Sequence, residues 1–391
     1  MFIRASASIS PQQSFGASSL PQLPAAYTGN RLTCIEPDYK EWVDPKLIRR
    51  MSRIIKMGVA TASLCLKNAG IPVPDAIVTG TAYGCLEDTG IFLNRMIEFN
   101  EEMLNPTAFI QSTHNTVGAQ IALSVKCYGY NNTFVHRGFS FESALLDGIL
   151  LLKDKEASNV LIGATDELTN ISYNILNRFG LYRSETALQA DANKTLVDQP
   201  GQGTLAGEGS AFFLITDQAS EDNVATLDAI HSFYKPAGNI VVSAEINAFL
   251  AAQSLSVTDI DLVIDGRNGD LANDAVYTHL ANDLFASASM RSYKQYCGEY
   301  PTSSSFALWY AISLLKGGRP GDDPSMIDQS AADDQSKSHQ PAAHDQSIGV
   351  RAPAYGQSID QAAKAADSPR KILIYNHYKN IHHSLFLVSA C

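Results

Sequence analysis

Short apolar runs of strand length alternate along this chain with segments whose apolar residues recur at helical spacing. Residues 159–164, NVLIGA, form a continuous apolar run, which is typical of a strand buried on both faces. Residues 51–69 carry apolar side chains at helical intervals, and Gly70 and Pro72 follow them as helix-ending residues. The alternation predicts an α/β fold with a mostly parallel sheet.

The same pattern recurs in two halves of the chain. It predicts strands at 2–9, 76–81, 159–164, 211–215, 225–233, 260–264, 371–375 and 385–388, and helices at 51–69, 144–152, 243–254, 272–284 and 304–315. We therefore expect an N-terminal half, residues 1–222, and a related C-terminal half, residues 223–391. Within the second half, residues 320–369 repeat Asp-Gln-Ser and contain few large apolar residues. This composition predicts a low-complexity, disordered surface insertion.

The composition of the chain argues against several classes of function. The formal net charge is −11 and the pI is about 5.3, which argues against a nucleic-acid-binding protein. No apolar run reaches the roughly 18 residues of a membrane span, and the N-terminus lacks the apolar region of a signal peptide. The six cysteines are scattered, without a C-x-x-C pair or a nearby histidine at metal-ligand spacing. We expect free thiols in the cytoplasm, no metal and no cofactor.

Six segments together resemble the β-ketoacyl synthases of fatty-acid and polyketide synthesis. They are IRASASISPQQSFG, RRMSRIIKMGVATASLCLKNAGI, NPTAFIQSTHNTVGAQIAL, NVLIGATDE, FGLYRS and PGQGTLAGEGSAFFLI, in that order. The resemblance covers residues 1–318 and 371–391. It implies a thiolase-like fold, with two related βαβαβ halves in a layered α/β/α/β/α arrangement. It also implies a dimer-interface helix at 115–125.

The resemblance also shows what this chain lacks. A family ketosynthase uses a cysteine at a helix N-terminus, where the helix dipole favours the thiolate, and two histidines that stabilise developing negative charge. Counting back from the strand at 159–166 places the nucleophile at Gly138, or at the neighbouring Phe139 or Ser140. None of these is a cysteine. Asp265 stands at the first histidine position and Glu299 at the second.

Two further family features are partly retained. Lys294 and Gly298 match the lysine and glycine of the segment that carries the second histidine. The glycine-rich loop that gates the acyl site in the family becomes NHYKNIHH, in which only Asn376 is kept and His377 and Tyr378 follow. We expect these three residues to lie at the substrate gate.

Residual chemistry has two candidate sources. Ser140 with His136 as base could replace the nucleophile, although four residues across a strand-to-helix turn need not bring their side chains together. Glu142, Asp265 and Glu299 could act as an acid–base cluster. The alternative is an ion pair of Lys294 with Glu299 or with Asp265 that fills the former site. His382 and His383 are expected to be a solvated or interface pair.

The loss of cysteine and both histidines on a retained scaffold resembles a chain-length factor. Such a subunit pairs with an active ketosynthase and shapes the tunnel in which acyl chains grow, in aryl-polyene-like and polyketide pathways. The resemblance implies a heterodimer with an active paralogue, or a homodimer, and an acyl carrier protein as partner. A basic face of Arg49, Arg50, Arg53 and Lys56 could bind the acidic carrier protein. The alternative is a divergent acyltransferase or malonyl-thioester decarboxylase that uses Ser140, Glu142 or Glu299.

Overall fold

A computed structural model describes residues 1–21, 24–25, 27, 29–184, 200–316 and 369–391. Residues 320–368 of the predicted insertion lie outside this part of the chain. The strands are β1 (Phe2–Ile9), β2 (Ala76–Gly80), β3 (Tyr130–Phe134), β4 (Asn159–Asp166), β5 (Gly209–Thr216), β6 (Ala225–Tyr234), β7 (Leu262–Asp265), β8 (Met290–Ser292), β9 (Lys371–Tyr378) and β10 (His382–Ser389).

The helices begin and end close to the predicted positions where periodicity was strong. They are α1 (Pro45–Ile48), α2 (Arg53–Ala69), α3 (Leu86–Glu98), α4 (Pro106–Gln111), α5 (Thr116–Val125), α6 (Ser140–Lys153), α7 (Asn170–Arg178), α8 (Asn239–Ala252), α9 (Leu271–Asn282), α10 (Lys294–Cys297) and α11 (Ser304–Lys316). The predicted end of α2 is confirmed, because Gly70 adopts the left-handed conformation (φ 66°) that closes a helix.

The strands form one sheet in the order β3-β2-β4-β5-β1-β6-β10-β9-β7-β8. Read outward from the contact between β1 and β6, the two sides repeat the same arrangement. On each side two parallel pairs lie at the outer end, β2 with β3 and β4, and β7 with β8 and β9. The inner pairs are antiparallel. The expectation of a mostly parallel sheet is therefore wrong: within the described residues, five strand pairs are antiparallel and four are parallel.

Alternate residues of each strand face different helical layers, as strand geometry requires. In β4, Val160 and Ile162 pack with α6 and α11, whereas Leu161 packs with α2 and α5. In β9, Ile372 also faces α6 and α11, whereas Leu373 faces α8 and α9. The helices α6 and α11 thus lie between the two sides of the sheet. This confirms the predicted thiolase-like α/β/α/β/α layering.

This layering places the candidate site residues. The turn after β3 leads directly into the central helix α6, and the carboxyl ends of β7 and β9, which are parallel neighbours, meet at one edge of the sheet. The hairpin of β9 and β10 extends across to the turn before α6. No helix in the described part of the chain is long and apolar enough to cross a membrane.

Candidate functional site

The turn between β3 and α6 is held by main-chain hydrogen bonds to one hydroxyl group. Ser140 Oγ donates to the carbonyl of Arg137 (2.8 Å) and accepts from the backbone N–H of His136 (2.8 Å). The serine is fully buried, and Arg137 adopts a left-handed conformation with φ 50°. The His136 ring instead contacts Phe139 and His382. The hydroxyl of Ser140 is therefore committed to shaping the turn, and the structure does not bring it together with the ring of His136.

Gly138 lies directly under the hairpin of β9 and β10. A methyl group built on its Cα would come within 2.7 Å of Tyr378 Cβ and 3.0 Å of His382 Cβ. Real Cβ atoms essentially never approach as closely as 2.7 Å, so any side chain here would force the hairpin to move. The position predicted for the nucleophile is thus packed shut against Tyr378.

The hairpin replaces the glycine-rich gate of the sequence prediction. Its strands pair from Lys371 with Ser389 to Tyr378 with His382. The connecting turn puts Lys379 and Asn380 at φ 54° and 52°, and the N–H of Ile381 donates to the carbonyl of Tyr378 (3.1 Å). Positive φ at both central residues suits the right-handed twist of a tight hairpin. The segment is therefore regular sheet, and its first strand ends three residues later than the predicted 371–375.

Asp265 ends β7 and is fully buried. Its two carboxyl oxygens accept from Arg267 Nε (2.9 Å) and Nη2 (2.7 Å), and its Oδ1 also accepts from the Arg267 backbone N–H (3.0 Å). Arg267 lies two residues after the end of the strand, and its bidentate ion pair neutralises the Asp265 carboxylate. Sequence reasoning missed Arg267, although an arginine two residues after a buried aspartate was visible in DGRNGD.

Glu299 and Lys294 form the second buried pair. Lys294 Nζ donates to Glu299 Oε2 (2.8 Å) and to the carbonyl of His377 (3.1 Å), and the Lys294 side chain is completely buried. Asn268 Nδ2 also donates to Glu299 Oε2. Of the two ion pairs that the sequence left open for Lys294, the structure contains the one with Glu299. Within the described residues, Glu299 Oε1 is buried without a partner.

The three predicted gate residues do not share one face, because side chains alternate along β9. Asn376 Oδ1 accepts from the Tyr293 hydroxyl (2.8 Å) on the inner side. His377 faces α9 instead: its ring stacks on Tyr277, and its Nε2 donates to the carbonyl of Asn273 (2.9 Å). Burial, with Lys294 nearby, lowers the pKa of His377 well below its usual value. Only Asn376 and Tyr378 therefore lie on the site side.

Glu142 points from α6 into the central layer and is buried. Burial raises the pKa of this carboxyl to about 7, and the nearby hydroxyls of Ser304 and Ser384 reduce the shift. Neither hydroxyl forms a regular hydrogen bond with it, and within the described residues both carboxyl oxygens lack a partner. With a pKa of about 7, the Glu142 carboxyl is partly protonated at pH 7. It does not join Asp265 or Glu299 in an acid–base cluster, since each of those is paired with its own cation.

A small cavity borders part of the candidate site. A cavity of about 30 Å³ is bounded by Glu299, Tyr378, Tyr182 and Tyr83. This volume holds one or two water molecules, since a cavity needs at least 10–15 Å³ per water. A larger cavity of about 150 Å³ is lined by residues of β1, α2 and α11 and by none of the site residues. Gly138 lines neither of these two cavities.

Only part of the predicted basic face is free to bind an acidic partner. Arg53 binds Glu208 through two hydrogen bonds of 2.6 Å and also binds Glu36. Arg49 and Arg50 are exposed. The expected pair His382 and His383 is also divided: His383 is fully buried beside the Tyr375 hydroxyl (3.0 Å), so the prediction of a solvated or interface pair is wrong for His383.

Among the described residues, no group of three or more His, Cys, Asp or Glu side chains is arranged so that it could hold a metal ion. The cysteines are free: Cys65, Cys85, Cys127 and Cys297 are buried, Cys34 is partly exposed and Cys391 is exposed.

Comparison with known proteins places this geometry in context. A family model described as "Beta-ketoacyl synthase, N-terminal domain" matches residues 32–227. Among solved structures, the ishigamide ketosynthase/chain length factor matches with a TM-score of 0.72 and 14% identity, over 100% of this chain and 98% of that one. A β-ketoacyl synthase from Burkholderia phymatum STM815 matches with a TM-score of 0.71 and 14% identity, over 100% and 99%.

A third solved structure is the ketosynthase ApeO in complex with its chain length factor ApeC, from Xenorhabdus doucetiae. It matches with a TM-score of 0.69 and 14% identity, over 100% of this chain and 98% of that one. No curated protein sequence matches. At these identities the structural likenesses establish the fold.

Proposed function

The chain belongs to the β-ketoacyl synthase family, and we propose that within it the chain acts as a chain-length-factor-type subunit. It pairs with a cysteine-bearing ketosynthase and contributes no catalytic group of its own. The complex extends acyl chains carried on acyl carrier protein, in the cytoplasm, to make a polyketide or an aryl-polyene-like lipid. Two of the structural neighbours are described as ketosynthases with chain length factors, which agrees with this assignment.

The closed turn at Gly138 carries the proposal. A nucleophile needs a side chain that reaches substrate, and Gly138 has no room even for a methyl group beneath Tyr378. The two positions that should stabilise an enolate or oxyanion hold carboxylates instead, each neutralised by a neighbouring cation. A neutralised carboxylate offers no hydrogen-bond donor to developing negative charge. Condensation therefore has to take place on the partner subunit.

The surface around β3 supports pairing. This strand lies at the end of the sheet, so among the described residues one of its edges has no neighbouring strand. Large apolar side chains are exposed around it: Leu123 (64%), Tyr128 (87%), Val135 (43%), Leu146 (48%) and Leu150 (46%). Exposed apolar patches of this kind mark protein–protein interfaces. Ketosynthases dimerise by continuing their sheets across a two-fold axis, and β3 offers that edge.

Incubation with malonyl-acyl carrier protein tests the catalytic half of the proposal. We expect the purified chain alone to release no carbon dioxide and to take up no acyl group, and the chain mixed with its ketosynthase to support elongation. Turnover by the lone chain that Ser140→Ala or Glu299→Ala abolishes would establish the acyltransferase or decarboxylase alternative instead. Mass spectrometry of the chain and its products reports both outcomes.

Two substitutions on α6 test the interface half. Leu146→Asp with Leu150→Asp places two charges on the exposed apolar surface, and we expect complex formation with the ketosynthase to fall by at least about a hundredfold. Ile240→Asp with Leu271→Asp is the matched control, because these side chains are 81% and 62% exposed on α8 and α9, which pack against β7, β9 and β10. Equal weakening by both variants would place the interface elsewhere.

A further inference from the structure

Three exposed cations surround the turn that has lost its nucleophile. Arg137 lies in the turn itself, Lys235 follows β6, and Lys379 lies at the tip of the β9–β10 hairpin. Arg137 lies close enough to lower the pKa of Lys379, although burial is the larger cause. Arg137 and Lys235 likewise help to lower the pKa of His382, again after burial. The three positive charges therefore share one surface, which we call the cationic turn.

Aromatic rings border this surface, and two of the three cations, Lys235 and Lys379, contact them. The ring of His382 packs edge-on against Phe139 (4.7 Å) and lies 5.5 Å from that of Tyr234. Lys235 Nζ lies 5.3 Å from the centre of the Tyr234 ring, and Lys379 Nζ lies 5.4 Å from that of Tyr378. Cation–π contacts at these distances hold the ammonium groups near the surface instead of leaving them to extend freely into solvent.

The cationic turn lacks internal acids. Among the described residues, none of the three cations forms an ion pair, whereas Arg53, Arg267 and Lys294 all do. The carboxylate that most affects Lys379 is Glu299, which already binds Lys294. A cluster of unpaired positive charge on a molecule with a net charge of −11 is a local reversal of sign.

The location of the cationic turn indicates which binding partner it contacts. His136 and Arg137 follow the end of β3 directly, so the cations border the exposed apolar surface of Val135, Leu146 and Leu150. A subunit seated on the β3 edge would bring its own rim against them. On the basis of the proposed function, we propose that the cationic turn steers a ketosynthase partner whose interface rim carries Asp and Glu side chains.

Rim charges of opposite sign act mainly on the association rate. They raise this rate at low salt, and the increase disappears as added salt screens the charges. Without the cationic turn, this acidic chain and an acidic partner would repel each other, and added salt would speed their association. With it, salt slows association. The sign of the salt dependence therefore reports whether the cationic turn is used.

The experiment measures association of the full chain with its ketosynthase by stopped-flow fluorescence, from 20 to 500 mM NaCl. For the native chain we expect the association rate constant to fall with salt. For Arg137→Glu/Lys235→Glu/Lys379→Glu at low salt we expect it to drop by about tenfold or more, with a smaller change in dissociation, and to rise with salt. The Gln triple variant should be intermediate, and it also serves if the Glu variant folds poorly.

The matched control carries the same charge change at exposed cations on other elements: Lys40→Glu/Lys46→Glu/Arg291→Glu. We expect it to associate within about twofold of the native rate. If the Glu triple variant of the cationic turn associates as fast as the control, with an unchanged salt dependence, the steering role is overturned and the chain-length-factor proposal stays intact. Absence of any complex between the native chain and ketosynthases would overturn both.

Discussion

The two sides of the candidate site are closed by different means. On the N-terminal side, the turn before α6 has no side chain at Gly138, and Tyr378 packs into the space. On the C-terminal side, the polar positions are kept as Asp265 and Glu299, and each is bound to its own cation. One side is closed by shape and the other by charge compensation.

The difference matters because the two kinds of closure respond differently to substitution. Packing closure tolerates loss of a contact but not added volume. A site closed by a buried ion pair is destabilised when either partner is removed, because the remaining charge is then buried and uncompensated. Substitutions on the two sides should therefore differ in size, in pH dependence and in whether a second substitution restores stability.

Removal of one partner of the Lys294–Glu299 pair should have the largest effect. Lys294→Met leaves Glu299 as a buried carboxylate with only Asn268 donating to it, and we expect the free energy of unfolding to fall by about 3–5 kcal/mol. Urea denaturation followed by circular dichroism measures this. The double variant Lys294→Met/Glu299→Leu should recover most of the loss. Equal destabilisation by the single and the double variants would show that packing, and not charge compensation, closes this side.

Substitution of Glu142, which is buried on α6, should be visible as a change in the pH dependence of stability. Its pKa of about 7 in the folded protein lies above the value near 4.5 of an unfolded glutamate. The raised pKa means that stability from this group is fully present below pH 4.5 and is lost as pH rises through 7. The loss amounts to about 3 kcal/mol, at 1.36 kcal/mol for each pKa unit.

Glu142→Gln removes the ionisation and nearly preserves the shape. The difference in unfolding free energy between variant and native protein should therefore grow in favour of the variant from pH 5 to pH 8. Glu167 and Asp274 also have raised pKa values and remain in both proteins, so the difference isolates Glu142. A difference that stays constant with pH would mean that Glu142 is paired or hydrated in solution.

The sequence predicted most of the core strands and helices, because a short apolar run such as 159–164 favours a buried strand and the helical spacing of 51–69 favours a helix. It offered the Lys294–Glu299 pair as one of two alternatives, the other being Lys294 with Asp265, and the structure contains the first. It missed the pairing of Asp265 with Arg267, because a charge two residues after a strand reads equally well as a solvated loop. It also missed the contact of Tyr378 with Gly138, which depends on the tight turn at Lys379 and Asn380. Lys-Asn lacks the glycine that usually signals such a hairpin.

A side chain added on the N-terminal side should cost less than a broken ion pair. Gly138→Cys puts a cysteine at one of the positions predicted for the nucleophile, but its Cβ would press on Tyr378 Cβ and His382 Cβ. We expect a loss of about 1–3 kcal/mol from overpacking, and no elongation activity. Gly90→Ala is the control, since its nearest contact is an ordinary 3.4 Å to Ile171 and alanine favours a helix. A stable Gly138→Cys protein that is acylated by acyl-carrier thioesters would show that the hairpin opens.

Ser140 should give the smallest effect, and it separates the two accounts of the turn. If the hydroxyl only shapes the turn, Ser140→Ala leaves the N–H of His136 and the carbonyl of Arg137 without this partner, at a cost of about 1–2 kcal/mol. Activity of the complex with the ketosynthase would then stay native once the variant is folded. If the hydroxyl were a nucleophile, stability would barely change while acyl transfer by the lone chain disappeared. Measuring both quantities on the same preparation distinguishes the cases, because a hydroxyl that donates to Arg137 cannot at the same time give its proton to a base.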